Sequence, residues 1–401
     1  MKKIGITLLI ALVGGVIAIG GYKLLEKKDY EALTLEEKQN VFYTNNPKGA
    51  NIKSSTGNLD FTEAAEAVSP GVVNINVTIK QQGRRGRGGG SPFDMFEEFF
   101  GRPDQRRQQP REAQASGSGV IVSPDGYIIT NNHVVEEANK IEVKLTDNRV
   151  FEAKVIGKDK NSDLALVKIS ATNLPIVKFG DSDNVRIGEW VLAVGYPLTL
   201  ESTVTAGIVS AMGRNLGLLG ERQQDMYGQD DIPINTGIES FIQTDAVINR
   251  GNSGGALVNA NGELIGINTA IASPTGYYSG YGFAIPINLA KKIMDDFIEF
   301  GRVNRGLIGV TFTELNRDIA KELGVDEVSG LIVRGISKGG AAEEVGMKEG
   351  DIITKLEGKN IRSSSDLQEH VYRLRPGDKV KLTYKRDGKE KNVTVTLKPE
   401  E

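Results

Sequence analysis

The ten-residue stretch Ile248–Leu257, INRGNSGGAL, places one serine among three glycines, with apolar sequence on either side. A glycine inside a strand or helix costs roughly 0.5–1 kcal/mol relative to alanine. Gly251, Gly254 and Gly255 therefore indicate a backbone that turns sharply or that another chain approaches closely. Two interpretations are open at this point: a tight turn between strands, or a loop that presents Ser253 as a nucleophile. The second interpretation requires a base and a carboxylate elsewhere in the chain.

A base and an acid both occur upstream of this loop. His133 lies in IITNNHVV directly after a β-type run, and Asp163 lies in NSDLALVKI directly before another. Each residue taken alone is explained as well by a structural role, but with Ser253 they follow the His, Asp, Ser order of a chymotrypsin-type triad. A serine hydroxyl becomes an effective nucleophile when a histidine accepts its proton and an aspartate orients that histidine. We therefore predict that His133, Asp163 and Ser253 are catalytic.

The same interpretation gives the glycines a chemical purpose. The backbone N–H groups of Gly251 and Ser253, with Asn252 between them, would form an oxyanion hole and contact the substrate. Losing one such donor typically costs about 10²–10³ in rate.

The composition excludes several other kinds of site. The 401 residues include no cysteine and only two histidines. Disulfides, a thiol nucleophile, thiolate metal sites and the usual histidine-based metal clusters are therefore excluded, and we predict neither a metal nor another cofactor. The second histidine, His370, is predicted to lie on the surface of a helix. A net charge of -3 gives no general attraction to nucleic acid.

The pattern along the chain predicts a β-rich protein of two folded units. Short strand-like runs separated by turn residues extend from about residue 116 to 286 and indicate a sandwich or barrel. A helical pattern, NLAKKIMDDFIEFG, follows and ends at Gly301 as its C-cap. We divide the chain into an N-terminal segment 1–25, a flexible linker 26–60, a folded domain 61–301 with a long insertion at 81–115, and a small mixed α and β domain 306–399.

The N-terminal segment predicts export of the rest of the chain. Residues 4–22 are apolar and flanked by lysines, close to the ~20 residues that span a bilayer. An uncleaved membrane anchor is favoured over a cleaved signal, because no clean cleavage site of small residues precedes the charges.

Four motifs together resemble the HtrA/Deg (Do-like) family of envelope serine proteases. They are TNNHVV, NSDLALVKI, TDAVINRGNSGGALVN and GYGFAIPIN, and the likeness extends over about residues 60–400. The resemblance implies a mostly β fold, with a chymotrypsin-like double β-barrel protease domain followed by a small α+β PDZ domain. It also implies an ATP-independent endopeptidase that cuts unfolded or misfolded envelope proteins after small aliphatic residues, assembled as a homotrimer or a larger multiple of trimers. The expected location is the periplasm, with or without a tether to the inner membrane.

By the same resemblance, RGLIGV stands in the place of the PDZ carboxylate-binding loop. The residues that would receive a peptide C-terminus by strand addition are Ile308, Gly309, Val310, Thr311 and Phe312. Leu367 and Val371 form either the far wall of that groove or ordinary domain core. A PDZ domain that binds C-terminal peptides would regulate the protease.

Two features leave the type of family member open. A single PDZ-like unit and an N-terminal anchor suit a regulatory protease, whereas the phenylalanine-containing insertion SPFDMFEEFFG resembles the LA loop of degradative members. The stretch 214–237 is also longer than expected for a sensor loop between the PDZ domain and the active site. The alternative function is a chaperone or peptide-binding scaffold in which proteolysis is secondary. The arginines of 81–114 are interleaved with acidic residues and no base-stacking fold is evident, so no nucleic-acid partner is predicted.

Overall fold

The structure is a computed structural model. The residues that it describes are 33–45, 60–79, 113–196, 202–216, 219, 238–249, 251–271, 280–323 and 329–400. The predicted N-terminal segment 1–25 and the predicted insertion up to residue 112 lie outside them, as does nearly all of 217–237. Within the described ranges, no helix is both long and apolar enough to cross a membrane.

Six antiparallel strands close the first barrel, in the order β1-β2-β3-β6-β5-β4. These strands are β1 (Val72–Ile79), β2 (Ala113–Ile121), β3 (Tyr127–Asn131), β4 (Lys140–Lys144), β5 (Val150–Asp159) and β6 (Leu164–Ile169). The sequence LALVKI of β6 shows why the barrel closes, since it is apolar at nearly every position and all but Lys168 is buried. A strand that is buried on both faces needs neighbours on both edges, and closure supplies them.

The second barrel has the order β10-β11-β12-β9-β8-β7. Its strands are β7 (Trp190–Gly195), β8 (Thr203–Arg214), β9 (Phe241–Thr244), β10 (Ala256–Asn259), β11 (Leu264–Ile271) and β12 (Gly282–Pro286). The two closed barrels confirm the predicted chymotrypsin-like architecture.

The C-terminal domain contains a sheet ordered β14-β15-β16-β18-β19, with β14 at one edge. Its strands are β13 (Gly306–Leu307), β14 (Val310–Glu314), β15 (Leu331–Ile336), β16 (Ile352–Leu356), β17 (Lys359–Asn360), β18 (Lys379–Arg386), β19 (Lys389–Thr396) and β20 (Lys398–Pro399). This arrangement confirms the small PDZ domain that the sequence predicts.

Helices pack between and around these sheets. They are α1 (Leu35–Asn45), α2 (Thr62–Val68), α3 (Asn132–Val135), α4 (Ile287–Phe300), α5 (Arg317–Leu323), α6 (Ala341–Glu344) and α7 (Ser364–Tyr372), with 3₁₀ turns at Ser69–Gly71 and Ser182–Asn184. Helix α4 ends as predicted, because Gly301 adopts a left-handed φ of 70° and its N–H donates to the carbonyl of Phe297 at 3.0 Å. The apolar face of α4 joins the core that the two barrels share.

Helix α1 departs from the prediction of a flexible linker over residues 26–60. Leu35 is 1% exposed and Gln39 is 3% exposed. The Gln39 side chain donates to the carbonyls of Val122 (3.0 Å) and Val177 (3.1 Å) and accepts from the N–H of Phe179 (2.8 Å). The helix is therefore fixed to the protease domain by a buried amide and by apolar contacts, since Phe42 and Tyr43 also pack against the core of the first barrel. Three apolar anchors in an otherwise polar sequence are too few to predict such packing.

Candidate active site

The pairing of β3 with β6 brings two of the predicted residues together. Asn131, at the end of β3, lies opposite Leu164 at the start of β6. His133 follows the first strand end within α3, and Asp163 immediately precedes the second. The strand register alone therefore places the imidazole beside the carboxylate, although thirty residues separate them in the chain.

The Asp163 carboxylate is held by three donors. The Nδ1 atom of His133 lies 2.8 Å from Oδ2 and 2.9 Å from Oδ1, the backbone N–H of His133 donates to Oδ1 at 3.0 Å, and the Thr269 hydroxyl donates to Oδ2 at 2.7 Å. The side chains of His133 and Asp163 are 11% and 6% exposed. Because an ionised carboxylate is acceptor-only, these contacts fix Nδ1 as the protonated nitrogen and leave Nε2 as the basic one.

The backbone of Asp163 is also constrained. Its φ is 54°, a left-handed value that is uncommon outside glycine. The Asp163 carbonyl accepts hydrogen bonds from the Asn131 side chain and from the Asn132 N–H, both at 3.0 Å. The two asparagines of the TNNH motif thus hold the carboxylate in the orientation that meets His133.

Ser253 lies in the same cluster and is 4% exposed. Its hydroxyl donates to the carbonyl of Thr269 at 3.1 Å. Thr269 therefore connects two of the residues predicted to be catalytic, because its hydroxyl donates to Asp163 and its carbonyl accepts from Ser253. We did not predict Thr269 from the sequence, where the only available signal is a pair of polar residues, Asn268 and Thr269, in the mostly apolar strand LIGINTAI.

The glycine loop has the backbone conformation that its sequence indicates. Gly251 has φ 102° and Gly254 has φ 84°. A Cβ atom on Gly254 would lie 2.1 Å from the carbonyl oxygen of Ser118 and 2.3 Å from the Thr130 hydroxyl. Only glycine meets both requirements, because the conformation disfavours any Cβ and the space admits none.

The amides of this loop divide into two sets. Those of Asn252, Gly254 and Gly255 donate to nearby backbone carbonyls at 3.0, 2.8 and 2.9 Å. The amides of Gly251 and Ser253 have no such bond to any described residue. An oxyanion hole needs donors that are not already engaged in this way, and the assignment of these two amides to one stays a prediction.

Ser118 fastens the loop to the first barrel, and we did not predict it. Its N–H donates to the Ser253 carbonyl at 2.8 Å and its hydroxyl donates to the Gly251 carbonyl at 2.6 Å. The hydroxyl accepts in turn from the N–H of Tyr196 at 2.8 Å. The side chain is fully buried, at 0% exposure, so these bonds are shielded from water.

The predicted peptide-binding loop of the PDZ domain lies at the open edge strand β14. The carbonyl of Ile308 accepts from the N–H of Ala342 (2.8 Å), and that of Gly309 accepts from the N–H of Ser337 (2.9 Å). A trans peptide unit points its C=O and the following N–H in opposite directions. The amides of Gly309 and Val310 therefore point away from Ala342 and Ser337, respectively.

The remaining predicted PDZ residues surround this loop. Val310 and Phe312 are partly buried against the same core cluster that contains Leu367 and Val371. The two helix residues are 2% and 6% exposed, so they belong to the domain core. Thr311 lies between the two apolar residues of β14 and pairs with Gly335 of β15.

Among the described residues, no group of three or more His, Asp or Glu side chains could hold a metal ion. His370 is partly buried on α7, where its Nδ1 donates to the Asp366 carbonyl at 2.7 Å.

A double β-barrel that gathers a serine, a histidine and an aspartate, followed by a PDZ sheet, defines a trypsin-like serine protease joined to a peptide-binding domain. Comparison with known protein families identifies the same two domains. The trypsin-like peptidase domain matches residues 117–267, and the PDZ domain matches residues 306–397. Both matches lie inside the domains predicted from the sequence, whose outer boundaries stay predictions.

Relatives that match most of the chain show which kind of serine protease it is. A probable periplasmic serine endoprotease, DegP-like, of Pseudomonas fulva (strain 12-X) is 43% identical over 352 residues, covering 84% of this chain and 70% of the relative. A probable periplasmic serine protease, do/HhoA-like, of Haemophilus influenzae is 43% identical over 351 residues, covering 84% and 71%. The solved HtrA-type protease AlgW with decapeptide is 37% identical at TM-score 0.61, covering 86% of this chain and 99% of that one. The chain belongs to the HtrA/Deg family of serine endoproteases, and it carries one PDZ domain.

Proposed function

We propose that this protein is an ATP-independent endopeptidase of the cell envelope that cleaves unfolded or misfolded proteins with Ser253 as nucleophile, His133 as base and Asp163 as the orienting carboxylate. One observation carries the proposal: the imidazole Nδ1 lies 2.8 Å from Asp163, and Thr269 bonds both that carboxylate and the Ser253 hydroxyl. The location follows from relatives that are named periplasmic.

The contacts support a defined sequence of proton transfers. The Ser253 hydroxyl rotates from the Thr269 carbonyl toward Nε2 of His133, which takes its proton as Oγ attacks the scissile carbonyl. The amides of Gly251 and Ser253 stabilise the oxyanion of the tetrahedral intermediate. His133 then gives the proton to the leaving amine, and a water molecule repeats the steps to release the acyl group.

We propose, from the family resemblance, that cleavage follows small aliphatic residues. We further propose that C-terminal peptides bind the PDZ domain by strand addition to β14 and regulate the protease. The amides of Gly309 and Val310, which point away from Ala342 and Ser337, support capture of the peptide carboxylate. The solved structures of the HtrA-type protease AlgW with a decapeptide and with a tripeptide give this proposal further support.

We also propose assembly into a homotrimer or a larger multiple of trimers, with a tether to the inner membrane. Trp190 is 41% exposed and Ile187 is 67% exposed, and the Trp190 ring lies 5.5 Å from that of Phe61. An interface that covers Trp190 and Ile187 in the assembly would remove this apolar surface from water.

The test is cleavage of an unfolded protein, casein, by the wild type and by Ser253→Ala. We expect the variant to lose cleavage by a factor of at least about 10³, because it lacks the proposed nucleophile. Matching circular dichroism spectra would show that the fold is intact. Undiminished cleavage by the variant would refute the assignment. A variant that still suppresses aggregation as well as the wild type would favour the scaffold function.

A further inference from the structure

The glycine loop, residues 251–255, is held at two of its peptide groups by a serine of the first barrel. Ser118 lies in β2 and is fully buried. Its hydroxyl donates to the carbonyl of Gly251 at 2.6 Å, and its N–H donates to the carbonyl of Ser253 at 2.8 Å. Both contacts cross from the first barrel to the second, because the glycine loop lies between β9 and β10.

The hydroxyl contact fixes the peptide unit that lies between the two amides predicted to form the oxyanion hole, those of Gly251 and Ser253. That unit joins Gly251 to Asn252, and its C=O is the acceptor of the Ser118 hydroxyl. Its N–H donates to the carbonyl of Asn249 at 3.0 Å. A trans peptide unit is planar, so bonds to both of its polar groups fix its orientation. A rotation of this unit would turn the two predicted oxyanion donors relative to each other.

The second contact fixes the peptide unit that follows the Ser253 amide. The C=O of this unit accepts from the Ser118 N–H, and its own N–H, which belongs to Gly254, donates to the Asn268 carbonyl at 2.8 Å. Ser118 therefore restrains the backbone on both sides of the Ser253 N–H. Neither of its two bonds involves the predicted catalytic imidazole or carboxylate, so its effect on the site passes through the loop.

The orientation of the Ser118 hydroxyl is set by its own surroundings. The oxygen accepts from the N–H of Tyr196, just after β7, at 2.8 Å. The Ser118 carbonyl accepts from the Thr130 hydroxyl at 2.7 Å. Gly195 leaves room for this arrangement, because a Cβ atom there would lie 3.0 Å from Ser118 Oγ. A hydroxyl that accepts one bond in this way donates its single proton to the remaining partner, the Gly251 carbonyl.

We propose that Ser118 is a positioning residue for the oxyanion hole: its hydroxyl holds the Gly251 carbonyl so that the amides of Gly251 and Ser253 face the same oxyanion. The proposal rests on the proposed function, in which these amides stabilise the tetrahedral intermediate. An interaction that acts only on the transition state changes kcat and leaves KM nearly unchanged. Losing the hydroxyl should cost less than the about 10²–10³ in rate that follows removal of a donor, because both amides remain.

The experiment measures kcat and KM on a fluorogenic peptide with the full chain, comparing wild type, Ser118→Ala, Ser123→Ala and Ser253→Ala. Ser118→Ala removes the hydroxyl and keeps the backbone N–H. We expect it to lower kcat about ten- to one-hundred-fold with KM changed less than about twofold.

Ser123→Ala is the matched control. Ser123 is also a fully buried serine of the first barrel, and its hydroxyl accepts from the N–H of Tyr127 at 3.0 Å. That bond does not involve the glycine loop. The control should therefore lose a buried hydroxyl bond and keep kcat within about twofold of the wild type.

A peptide aldehyde provides a second readout that a merely structural role would not move. The Ser253 oxygen bonds the aldehyde carbon as the serine proton passes to His133, and the former carbonyl oxygen becomes the oxyanion of a tetrahedral adduct. The corresponding peptide alcohol binds without reacting. In Ser118→Ala the inhibition constant of the aldehyde should rise by about the factor by which kcat falls, since both report on the tetrahedral state. That of the alcohol should stay within about twofold.

A folded Ser118→Ala protein with wild-type kcat would overturn the proposal, as would an equal loss in Ser123→Ala or equal weakening of the aldehyde and the alcohol. If Ser118→Ala does not fold, Ser118→Cys decides the matter. A thiol occupies the same place and is a weak donor, so kcat should fall at least about threefold, and an unchanged kcat overturns the proposal.

The Ser253→Ala variant separates this inference from the proposed function. If it cleaves as fast as the wild type, the proposed function fails and this inference fails with it. If it is inactive while Ser118→Ala is fully active, only this inference fails.

Discussion

The Thr269 hydroxyl bonds a central residue of the candidate active site, although no sequence motif identifies Thr269. It donates to Oδ2 of Asp163 at 2.7 Å, while the carbonyl of the same residue accepts from Ser253 at 3.1 Å. A hydrogen bond to a charged acceptor contributes about 1.5–3 kcal/mol. Losing it would let the carboxylate rotate away from His133 without removing any group that reacts.

Replacing Thr269 by valine tests this role, because valine has the same shape and lacks the hydroxyl. We expect Thr269→Val to lower kcat/KM about tenfold or more, following from a loss of about 1.5 kcal/mol in the transition state. Thr269→Ser keeps the donor and should retain activity within about threefold. Steady-state kinetics on a fluorogenic peptide would measure both variants. Equal activity in the two would show that the hydroxyl does not orient the carboxylate.

Residue chemistry explains which parts of the candidate site the sequence could predict. His133, Asp163 and Ser253 were recognisable because few residue types can exchange a proton with a hydroxyl, and the order of the three is characteristic. Thr269 and Ser118 were not, because threonine and serine occur in many strands for many reasons. Their roles depend on contacts across 106 and 133 residues of sequence, which become visible only when the two barrels are assembled.

At the scale of elements, the nucleophile loop has little tolerance for side-chain atoms. Gly254→Ala would combine a disfavoured φ of 84° with a Cβ placed 2.1 Å from the Ser118 carbonyl oxygen. We expect a loss of more than about 2 kcal/mol in the free energy of unfolding, together with loss of activity. Gly388→Ala is the control, since it has φ 71° with nothing within 4 Å of the added Cβ, and it should cost only about 1 kcal/mol. Chemical denaturation of both proteins would test the difference, and equal losses would contradict the steric argument.

Element prediction succeeded where the signal was local and failed where it was not. Helix α4 has an apolar face at helical spacing and a glycine cap, so both its existence and its end were predictable. Helix α1 lies in a polar segment with few apolar anchors, and the Gln39 amide helps to fix its position by bonding the carbonyls of Val122 and Val177, 83 and 138 residues away. A buried glutamine in a polar segment cannot be distinguished from a solvated one without knowing where those carbonyls lie.

At the scale of the whole molecule, helix α1, the protease domain and the PDZ domain meet around Asp295. Burial raises the pKa of the Asp295 carboxyl to about 6, against the opposing effects of the Leu35 backbone amide and of Arg375. A carboxyl whose pKa is raised on folding binds its proton more tightly in the folded state. It therefore contributes stability at low pH, and that contribution is lost as the pH rises from about 4 through 6. At neutral pH the Asp295 carboxyl is ionised although it is partly buried, and this destabilises the folded protein.

Asp295→Asn, which mimics the protonated carboxyl, should therefore stabilise the protein at pH 7 by on the order of 1 kcal/mol after allowance for solvent screening. The gain in Tm over the wild type should shrink as the pH falls from about 6 to 4 and vanish below, because both proteins are then neutral at this position.

Asp181→Asn provides a control of opposite sign. The pKa of Asp181 is held low by hydrogen bonds from the Asn288 side chain and the Asp183 backbone, so this variant should lose stability above pH 4. Thermal unfolding of the three proteins between pH 4 and 8 distinguishes the two behaviours, and a difference between Asp295→Asn and wild type that does not change with pH would show that the carboxyl does not titrate as inferred.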